Sequence, residues 1–407
     1  MNLDIKNQMR KKATLLKLAL RTNGIRVEAR VEGVGTNIKE NINGLYQINK
    51  SKNEPLDLIP NEIVLYEKIT TKLVCNPQSY FSLRKKDENF YVYSDFLEEP
   101  LIQVSFSKRP EHYSWYTSKG TPMKYIGQVM GSDCLAIAID KQCVHFKTGD
   151  FCRYCNINPT NFKSNIPRFS DLEGIGELIS VAGKKYRFID LTGGTFENRD
   201  EECRYYTLVG NIIKKNLGKN KISGPFSFTP PDKLSLLDSM YETGIDVISF
   251  NLDVWNDSAL KRICPGKYKI GKEKYEQALI YAKDLWGVGN SVIQFLAGPW
   301  ESNQSLLEGT KYWLEKGILV NITTFYPSPG SSLRNIKPKN LSELVSLYID
   351  YGKLISSYGF YPNERRSILT SESGNRSSIV NEVVKGYLTE KNFDIETDLN
   401  FARGNIK

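Results

Sequence analysis

The sequence predicts an α/β protein: a partial (β/α)6 barrel of the TIM type with an N-terminal α+β layer and a helical C-terminal extension. Three observations support this fold class. Short β-branched apolar runs alternate with longer amphipathic stretches from about residue 134 onward, one of these runs carries a polar face, and the first 130 residues lack the alternation. A strand-then-helix repeat is typical of a parallel sheet covered by helices.

The first part of the chain, residues 1–130, is predicted to form a separate α+β layer that caps the barrel or contributes to substrate binding. It opens with a probable helix over Lys6–Leu20. Short strand-like segments separated by Asn, Lys, Gly and Pro follow at Ile25–Val31, Ile63–Tyr66, Phe90–Ser94 and Leu101–Phe106.

The central part, residues 131–335, is predicted to be the barrel. Its six strands are expected at Leu135–Ile139, Phe188–Leu191, Ile222–Phe228, Val247–Leu252, Val292–Leu296 and Ile318–Phe325. Amphipathic helices are expected at Leu172–Ala182, Glu202–Lys215, Lys233–Glu242, Lys274–Trp286 and Leu306–Lys316. Glycines just after several of these stretches are typical helix stops.

A polar face on the fourth strand favours a barrel over an open sheet buried on both sides. Alternation along Val247–Asp253 places Ile248, Phe250 and Leu252 on one face and Ser249, Asn251 and Asp253 on the other. A parallel strand covered by helices on both faces would be apolar throughout. We therefore expect the polar face to line the lumen of an incomplete barrel.

The last part, residues 336–407, is predicted to be one helix, Leu341–Ser357, and a tail. A Ser/Arg-rich stretch from Glu364 to Ser378 could close over a substrate or be an ordinary loop.

Composition excludes several classes of protein. The 407 residues contain no apolar run long enough for a membrane helix, and no cleavable secretion signal is recognised, so the protein is expected to be cytoplasmic. The net charge of +9 is spread along the chain, which is consistent with a solvated surface or with an anionic substrate, and no nucleic-acid module accompanies it. Only two histidines are present, so a three-histidine zinc site is excluded.

Three of the seven cysteines lie close together directly after the first barrel strand: Cys143, Cys152 and Cys155. Active sites of parallel barrels are built at this edge. Three thiolates can hold an iron-sulfur cluster, or they can bind a structural zinc with His145 as the fourth ligand. Cys75, Cys203 and Cys264 are predicted to be isolated buried or surface thiols.

The end of this loop, Cys152-Arg-Tyr154-Cys155, resembles the signature of the radical SAM enzymes. The resemblance implies that Cys143, Cys152 and Cys155 hold a 4Fe-4S cluster whose open iron is chelated by S-adenosylmethionine, with Tyr154 beside the adenine. The family's usual spacing is CxxxCxxC, whereas eight residues separate Cys143 from Cys152 here.

Four further motifs resemble the family's sequence in the family's order. Gly193-Gly194-Thr195 resembles the GGE motif that contacts the methionyl amine, and Asn251-Leu252-Asp253 is similar to the NLD sequence of biotin synthase that binds the ribose. The stretch from Gln294 to Glu301 resembles GxIxGxxE, which implies that Leu296 and Gly298 pack against adenine; a Pro-Gly-Ser turn ends the sixth strand. Taken singly, these residues could also be a tight turn, a polar cap and, for Glu301, a helix-start carboxylate.

The resemblance implies an enzyme that reductively cleaves S-adenosylmethionine to a 5′-deoxyadenosyl radical, which takes hydrogen from a small-molecule substrate. An external electron donor of the flavodoxin or ferredoxin type is expected. Biotin synthase-like sulfur insertion is disfavoured because no cysteine for a second cluster stands on the later strands. Rearrangement, lyase, epimerisation, dehydrogenation and carbon-carbon bond formation remain open. Alternatives are radical modification of a peptide or nucleic acid, and a zinc-stapled barrel without radical chemistry.

Overall fold

The computed structural model describes residues 3–31, 60–157, 168–360 and 393–405, apart from Lys68, Ser132 and Pro329, together with Val383, Thr389 and Lys391. The Ser/Arg-rich stretch from Glu364 to Ser378 lies outside the described residues. No helix in the described parts of the chain is long and apolar enough to cross a membrane.

The described residues of the N-terminal part form one long helix and two small sheets. Its elements are α1 Leu3–Asn23, β1 Arg26–Val27, β2 Glu62–Tyr66, β3 Ile69–Lys72, β4 Phe81–Lys86, β5 Asn89–Ser94 and β6 Ile102–Val104. The predicted helix is confirmed, and it stops at Gly24, which has a left-handed φ of 69° and donates its N–H to the Leu20 carbonyl at 3.0 Å. Strands β1, β4, β5 and β6 form one sheet, and β2 pairs with β3 in another.

The central sheet has seven strands, six of them parallel. They are β7 Gly127–Met130, β8 Cys134–Ala138, β9 Phe188–Thr192, β10 Ile222–Ser227, β11 Ile245–Ser249, β12 Ser291–Ala297 and β13 Leu319–Thr324. The order in the sheet follows the order in sequence from β7 to β13. All six predicted barrel strands are therefore confirmed, as is the fold class of a partial barrel.

One edge of the central sheet is not parallel. Strand β7 runs antiparallel to β8, with Gly127 opposite Ile137 and Met130 opposite Cys134. The last residues of the predicted N-terminal layer thus extend the barrel sheet. Strand β13 forms the other edge, paired with β12 from Val292 opposite Leu319 to Ala297 opposite Thr324.

Helices connect the parallel strands and cover the sheet. They are α2 Val144–Lys147, α3 Leu172–Ala182, α4 Arg199–Leu217, α5 Leu236–Tyr241, α6 Asp257–Ile263, α7 Pro265–Ile270, α8 Lys272–Trp286, α9 Asn303–Glu315, α10 Leu341–Ser357 and, near the end, α11 Ile395–Asp398. Among the described residues, 3-10 helices lie at Glu111–Ser114, Met123–Tyr125 and Gly183–Lys185, and Asn400–Asn405 is a 3-10 segment with a kink at Ala402. The predicted helices over Leu172–Ala182 and Leu341–Ser357 are confirmed to the residue.

Side-chain capping explains why several helices begin where they do. Asn198 accepts hydrogen bonds from the N–H groups of Asp200 and Glu201, and Asn340 forms a reciprocal capping box with Glu343. Each cap satisfies N–H groups that have no partner within the helix. The Asp171 side chain likewise accepts from the N–H of Glu173 at the start of α3, so both helices that flank β9 are capped.

The strands of the central sheet are largely buried and carry some polar side chains. All five residues of β8 are buried, as a strand covered on both faces requires. Buried polar side chains also occur on the strands, among them Ser227, Ser249, Asn321 and Thr323. Leucines of α1 belong to the same continuous hydrophobic core as the barrel strands, and α1 contacts both α10 and β13.

Candidate functional site

The cysteine loop follows β8 and is held by backbone hydrogen bonds from three other segments. Val144 N–H donates to the Thr195 carbonyl at 2.9 Å, Arg153 N–H donates to the Ile263 carbonyl at 2.8 Å, and Leu333 N–H donates to the Arg153 carbonyl at 3.2 Å. The rings of Phe146 and Phe151 stack with their centroids 4.6 Å apart, which brings the two ends of the loop together.

Cys143, Cys152 and Cys155 line one cavity of about 160 Å³. The ends of neighbouring strands contribute the facing wall. Further residues lining the cavity are His145, Tyr154, Thr192, Gly193, Gly194, Thr195, Glu202, Thr229, Asn251, Lys267 and Tyr275. The cavity therefore lies at the carboxyl edge of the parallel sheet, where the sequence predicts the site.

The loop thiols differ in electrostatic environment. Burial raises the pKa of Cys143, and burial together with the neighbouring Cys152 raises the pKa of Cys155 to about 12. The pKa of Cys152 is lowered, chiefly by a hydrogen bond from the thiol of Cys264. Cys264 is buried, as predicted, but it is not isolated, because its sulfur lies against a cysteine of the loop.

The three thiols share one cavity wall. In the part of the chain that the structure describes, no three Cys, His, Asp or Glu side chains are arranged to hold a metal ion. His145, the suggested fourth zinc ligand, packs its ring on Gly266, where a Cβ atom would lie 2.5 Å from Nδ1. The predicted ligands thus share a cavity but do not form a closed four-ligand site.

The glycine pair after β9 lies directly on the segment that leads to Cys143. Gly194 N–H donates to the Asp140 carbonyl at 2.9 Å, and a Cβ atom on Gly194 would come within 1.6 Å of the Gln142 carbonyl oxygen. Only glycine permits this approach. The structure thus shows a packing reason for Gly194, and ligand binding by the glycine pair stays a prediction.

The two polar residues after β11 are placed differently from one another. Asn251 lines the cavity, and its Oδ1 accepts a hydrogen bond from Ser249 Oγ at 2.6 Å. Asp253 is buried beneath Tyr154, whose phenol donates to Oδ2 at 2.5 Å, and it also pairs with Lys267. Asp253 has a φ of 72°, a left-handed backbone conformation that Asp tolerates better than most residues.

The predicted adenine residues lie apart from this cavity. Leu296 and Gly298 are not among the described residues that line it. A Cβ atom on Gly298 would lie 2.3 Å from the Trp300 ring, so the glycine lets the indole pack against the backbone. Glu301 accepts from Trp255 N–H at 3.1 Å and Asn256 N–H at 2.6 Å, just before helix α6.

Two charged residues of the cavity were not predicted. Glu202 stands in an acidic first turn, Asp200-Glu201-Glu202, where carboxylates are common at helix starts. Lys267 lies in Gly266–Lys272, a near match to a phosphate-binding loop that fails because helix α6 rather than a strand precedes it.

The six parallel strands and the three loop cysteines at their carboxyl edge agree with the resemblance to the radical SAM enzymes. The chain is 24% identical over 293 residues to bacteriochlorophyllide c C-7(1)-hydroxylase of Chlorobaculum limnaeum, an alignment that covers 65% of this chain and 71% of the relative. No protein-family model matches it.

Two solved structures are partly similar. Methylornithine synthase has 20% identity and a TM-score of 0.43, covering 60% of this chain and 71% of its own. The FeFe-hydrogenase maturase HydG from Carboxydothermus hydrogenoformans has 15% identity and a TM-score of 0.43, covering 56% and 53%.

Proposed function

We propose that this enzyme cleaves S-adenosylmethionine reductively at a 4Fe-4S cluster on Cys143, Cys152 and Cys155 and takes a hydrogen atom from a small-molecule substrate. The observation that supports it best is that all three thiols line a cavity shared with the ends of three neighbouring strands. When bound, the cluster supplies the electron that breaks the sulfonium bond and yields the 5′-deoxyadenosyl radical.

The donor set suits a cluster better than a single zinc ion. Zinc ligands converge on one point at about 2.0–2.3 Å from the metal. A cluster takes one thiolate on each of three irons, so its ligands surround a volume. All three loop cysteines line the cavity, and no fourth thiol among the described residues does so.

The other cavity residues would hold S-adenosylmethionine and exclude water. Asn251, at the end of β11, can receive the ribose hydroxyls, and the backbone of Gly193–Thr195 can receive the methionyl amine. Lys267, which reaches the cavity from α7, can neutralise the methionyl carboxylate while it remains paired with Asp253. Tyr154 is proposed beside the adenine, with Leu296 and Gly298 supporting that ring from β12.

The substrate is proposed to be a small molecule that reacts at an unactivated carbon. The name of the curated relative describes hydroxylation at C-7(1) of bacteriochlorophyllide c, which is a small molecule rather than a peptide or nucleic acid. The electron is proposed to come from a flavodoxin or ferredoxin. Which of the possible reactions follows hydrogen abstraction depends on the substrate.

The test is anaerobic purification and reconstitution with iron and sulfide. We expect close to four irons and four sulfides per chain, and 5′-deoxyadenosine after addition of dithionite and S-adenosylmethionine. The triple variant Cys143→Ala, Cys152→Ala, Cys155→Ala should bind no cluster. Cys75→Ala, which removes a half-buried thiol in the N-terminal part, is the matched control and should retain it. A colourless protein with one zinc per chain contradicts the proposal.

A further inference from the structure

A buried carboxylate forms part of the cavity wall. Glu202, in the first turn of α4, is 1% exposed and lines the cavity. Its Oε2 accepts from Phe196 N–H at 3.0 Å and its Oε1 accepts from Thr229 N–H at 2.9 Å. The side chain therefore bridges the loop after β9 and the loop after β10.

The carboxyl group of Glu202 has no cation beside it. Among the described residues that line the cavity it is the one carboxylate, and no ion pair with Lys, Arg or His is formed by it in the described ranges. Burying a carboxylate without a cation is costly, and burial raises the pKa of Glu202 to about 8. A carboxylate has about four acceptor positions, so the two backbone donors and the Thr229 hydroxyl leave capacity for one further donor.

Glu202 also lies beside the proposed subsite for the methionyl amine. Phe196, which donates to Oε2, directly follows Gly193-Gly194-Thr195. Thr195 occupies the position where the resemblance leads one to expect a glutamate, and its hydroxyl bonds Thr229 Oγ1 at 2.9 Å. The carboxylate missing from this motif is thus present seven residues later, on the helix that follows.

We propose that Glu202 binds the α-ammonium group of S-adenosylmethionine and takes the place of the glutamate that Thr195 replaces. The inference rests on the function proposed above. An ammonium group placed between Glu202 and the carbonyls of the glycine pair would favour the ionised carboxylate, so Glu202 would release its proton to solvent and form a charge-assisted hydrogen bond to the ligand. Lys267, which also lines the cavity, would pair with the ligand's carboxylate, so that charge would distinguish the two ends of the amino-acid part.

The test measures binding to the reconstituted enzyme without reductant, so that no cleavage occurs. The two ligands are S-adenosylmethionine and its analogue in which hydrogen replaces the α-amino group. In the wild-type enzyme S-adenosylmethionine should bind about tenfold or more tightly than the analogue. In Glu202→Gln the affinity for S-adenosylmethionine should fall by about the same factor, and the affinity for the analogue should change less than twofold.

Matched variants separate ligand binding from support of the two loops. Glu201→Gln removes the exposed neighbouring carboxylate and should leave both affinities unchanged. Glu202→Asp retains the carboxyl group on a shorter side chain and should lower the affinity for S-adenosylmethionine but not for the analogue. This variant replaces Glu202→Gln in the test if the Gln variant does not fold. Equal weakening of both ligands in the Glu202 variants would overturn the inference while the proposed function stands. If the wild-type enzyme binds neither ligand, the proposed function itself fails.

Discussion

The phenol of Tyr154 donates a hydrogen bond of 2.5 Å to Asp253 Oδ2, and this contact joins the cysteine loop to the polypeptide after β11. Asp253 is in turn fixed in the sheet, because its N–H donates to the Gln294 carbonyl and its carbonyl accepts from Leu296 N–H, both at 2.8 Å. The residue between Cys152 and Cys155 is thereby positioned by two strands of the barrel. Several consequences can be measured.

Removing the phenol should loosen this connection. In Tyr154→Phe the buried Oδ2 of Asp253 loses a hydrogen-bond donor, which should lower the free energy of unfolding by about 1–3 kcal/mol. The reconstituted variant should also lose iron to a chelator faster than the wild type. Urea denaturation and the rate of iron release are the measurements. The control is Tyr281→Phe, which removes a 2.8 Å bond to Asp238 from an exposed pair. Equal behaviour of the two variants would contradict the connecting role.

The pair of Lys267 and Asp253 should show strong energetic coupling. Lys267→Met leaves the buried Asp253 carboxylate without its cation and should destabilise the protein by about 2–4 kcal/mol, whereas the double variant with Asp253→Asn should lose less than the sum of the single variants. Lys269→Met, which breaks the exposed pair with Asp150, should cost less than about 1 kcal/mol. Urea denaturation of the four proteins gives the coupling, and additivity would show that the pair contributes nothing.

Gly194 should not accept a side chain. The methyl group of Gly194→Ala would lie 1.6 Å from the Gln142 carbonyl oxygen, so the backbone before Cys143 must move. We expect a clear fall in both thermal stability and iron content after reconstitution. In Gly176→Ala, inside α3, the nearest atom is the flexible amide end of Asn216 at 3.1 Å, and stability should change by less than about 1 kcal/mol. Normal iron content in Gly194→Ala would show that the two segments can separate without harm.

The ionisation of Glu202 should appear in the pH dependence of stability. Burial raises its pKa from about 4.5 to about 8 in the folded protein, so between these values the unfolded chain binds fewer protons than the folded one. The free energy of unfolding of the wild type must therefore fall with rising pH from this group, and no such fall occurs in Glu202→Gln. The stability of the variant relative to wild type should rise between pH 4.5 and pH 8 by up to about 5 kcal/mol. A constant difference would mean that the buried carboxylate is already ionised.

Much of the barrel could be predicted from the sequence because its strands are continuous apolar runs. Helical periodicity and capping residues, such as Asn340 with Glu343, allow helices to be predicted from the sequence as well. The strands over Phe81–Lys86 and Gly127–Met130 were missed for local reasons: the first ends in Arg-Lys-Lys, and the second is four residues long with Gly and Gln in its first half. Their pairing partners, rather than their own residues, make them strands.

The site residues could be predicted from the sequence only where they come after a strand of the barrel. The three cysteines and Asn251 stand directly after strands, so the edge of the sheet brings them together. Glu202 and Lys267 reach the same cavity from helices. Three acidic residues in one helical turn look alike in sequence, and only the packing of α4 shows that Glu202 points inward while Glu201 is exposed.

The backbone hydrogen bonds that hold the cysteine loop to Thr195, Ile263 and Leu333 should determine whether the protein stays folded after exposure to oxygen. In small zinc domains the metal is needed for folding, so its loss unfolds the chain. Here hydrogen bonds to the rest of the barrel order the cysteine loop, so the loop does not need the cluster in order to fold. A protein that has lost its cluster to oxygen should therefore remain folded and be able to bind a new one. The iron-free protein should show the same cooperative melting transition as a reconstituted sample, at a shifted temperature.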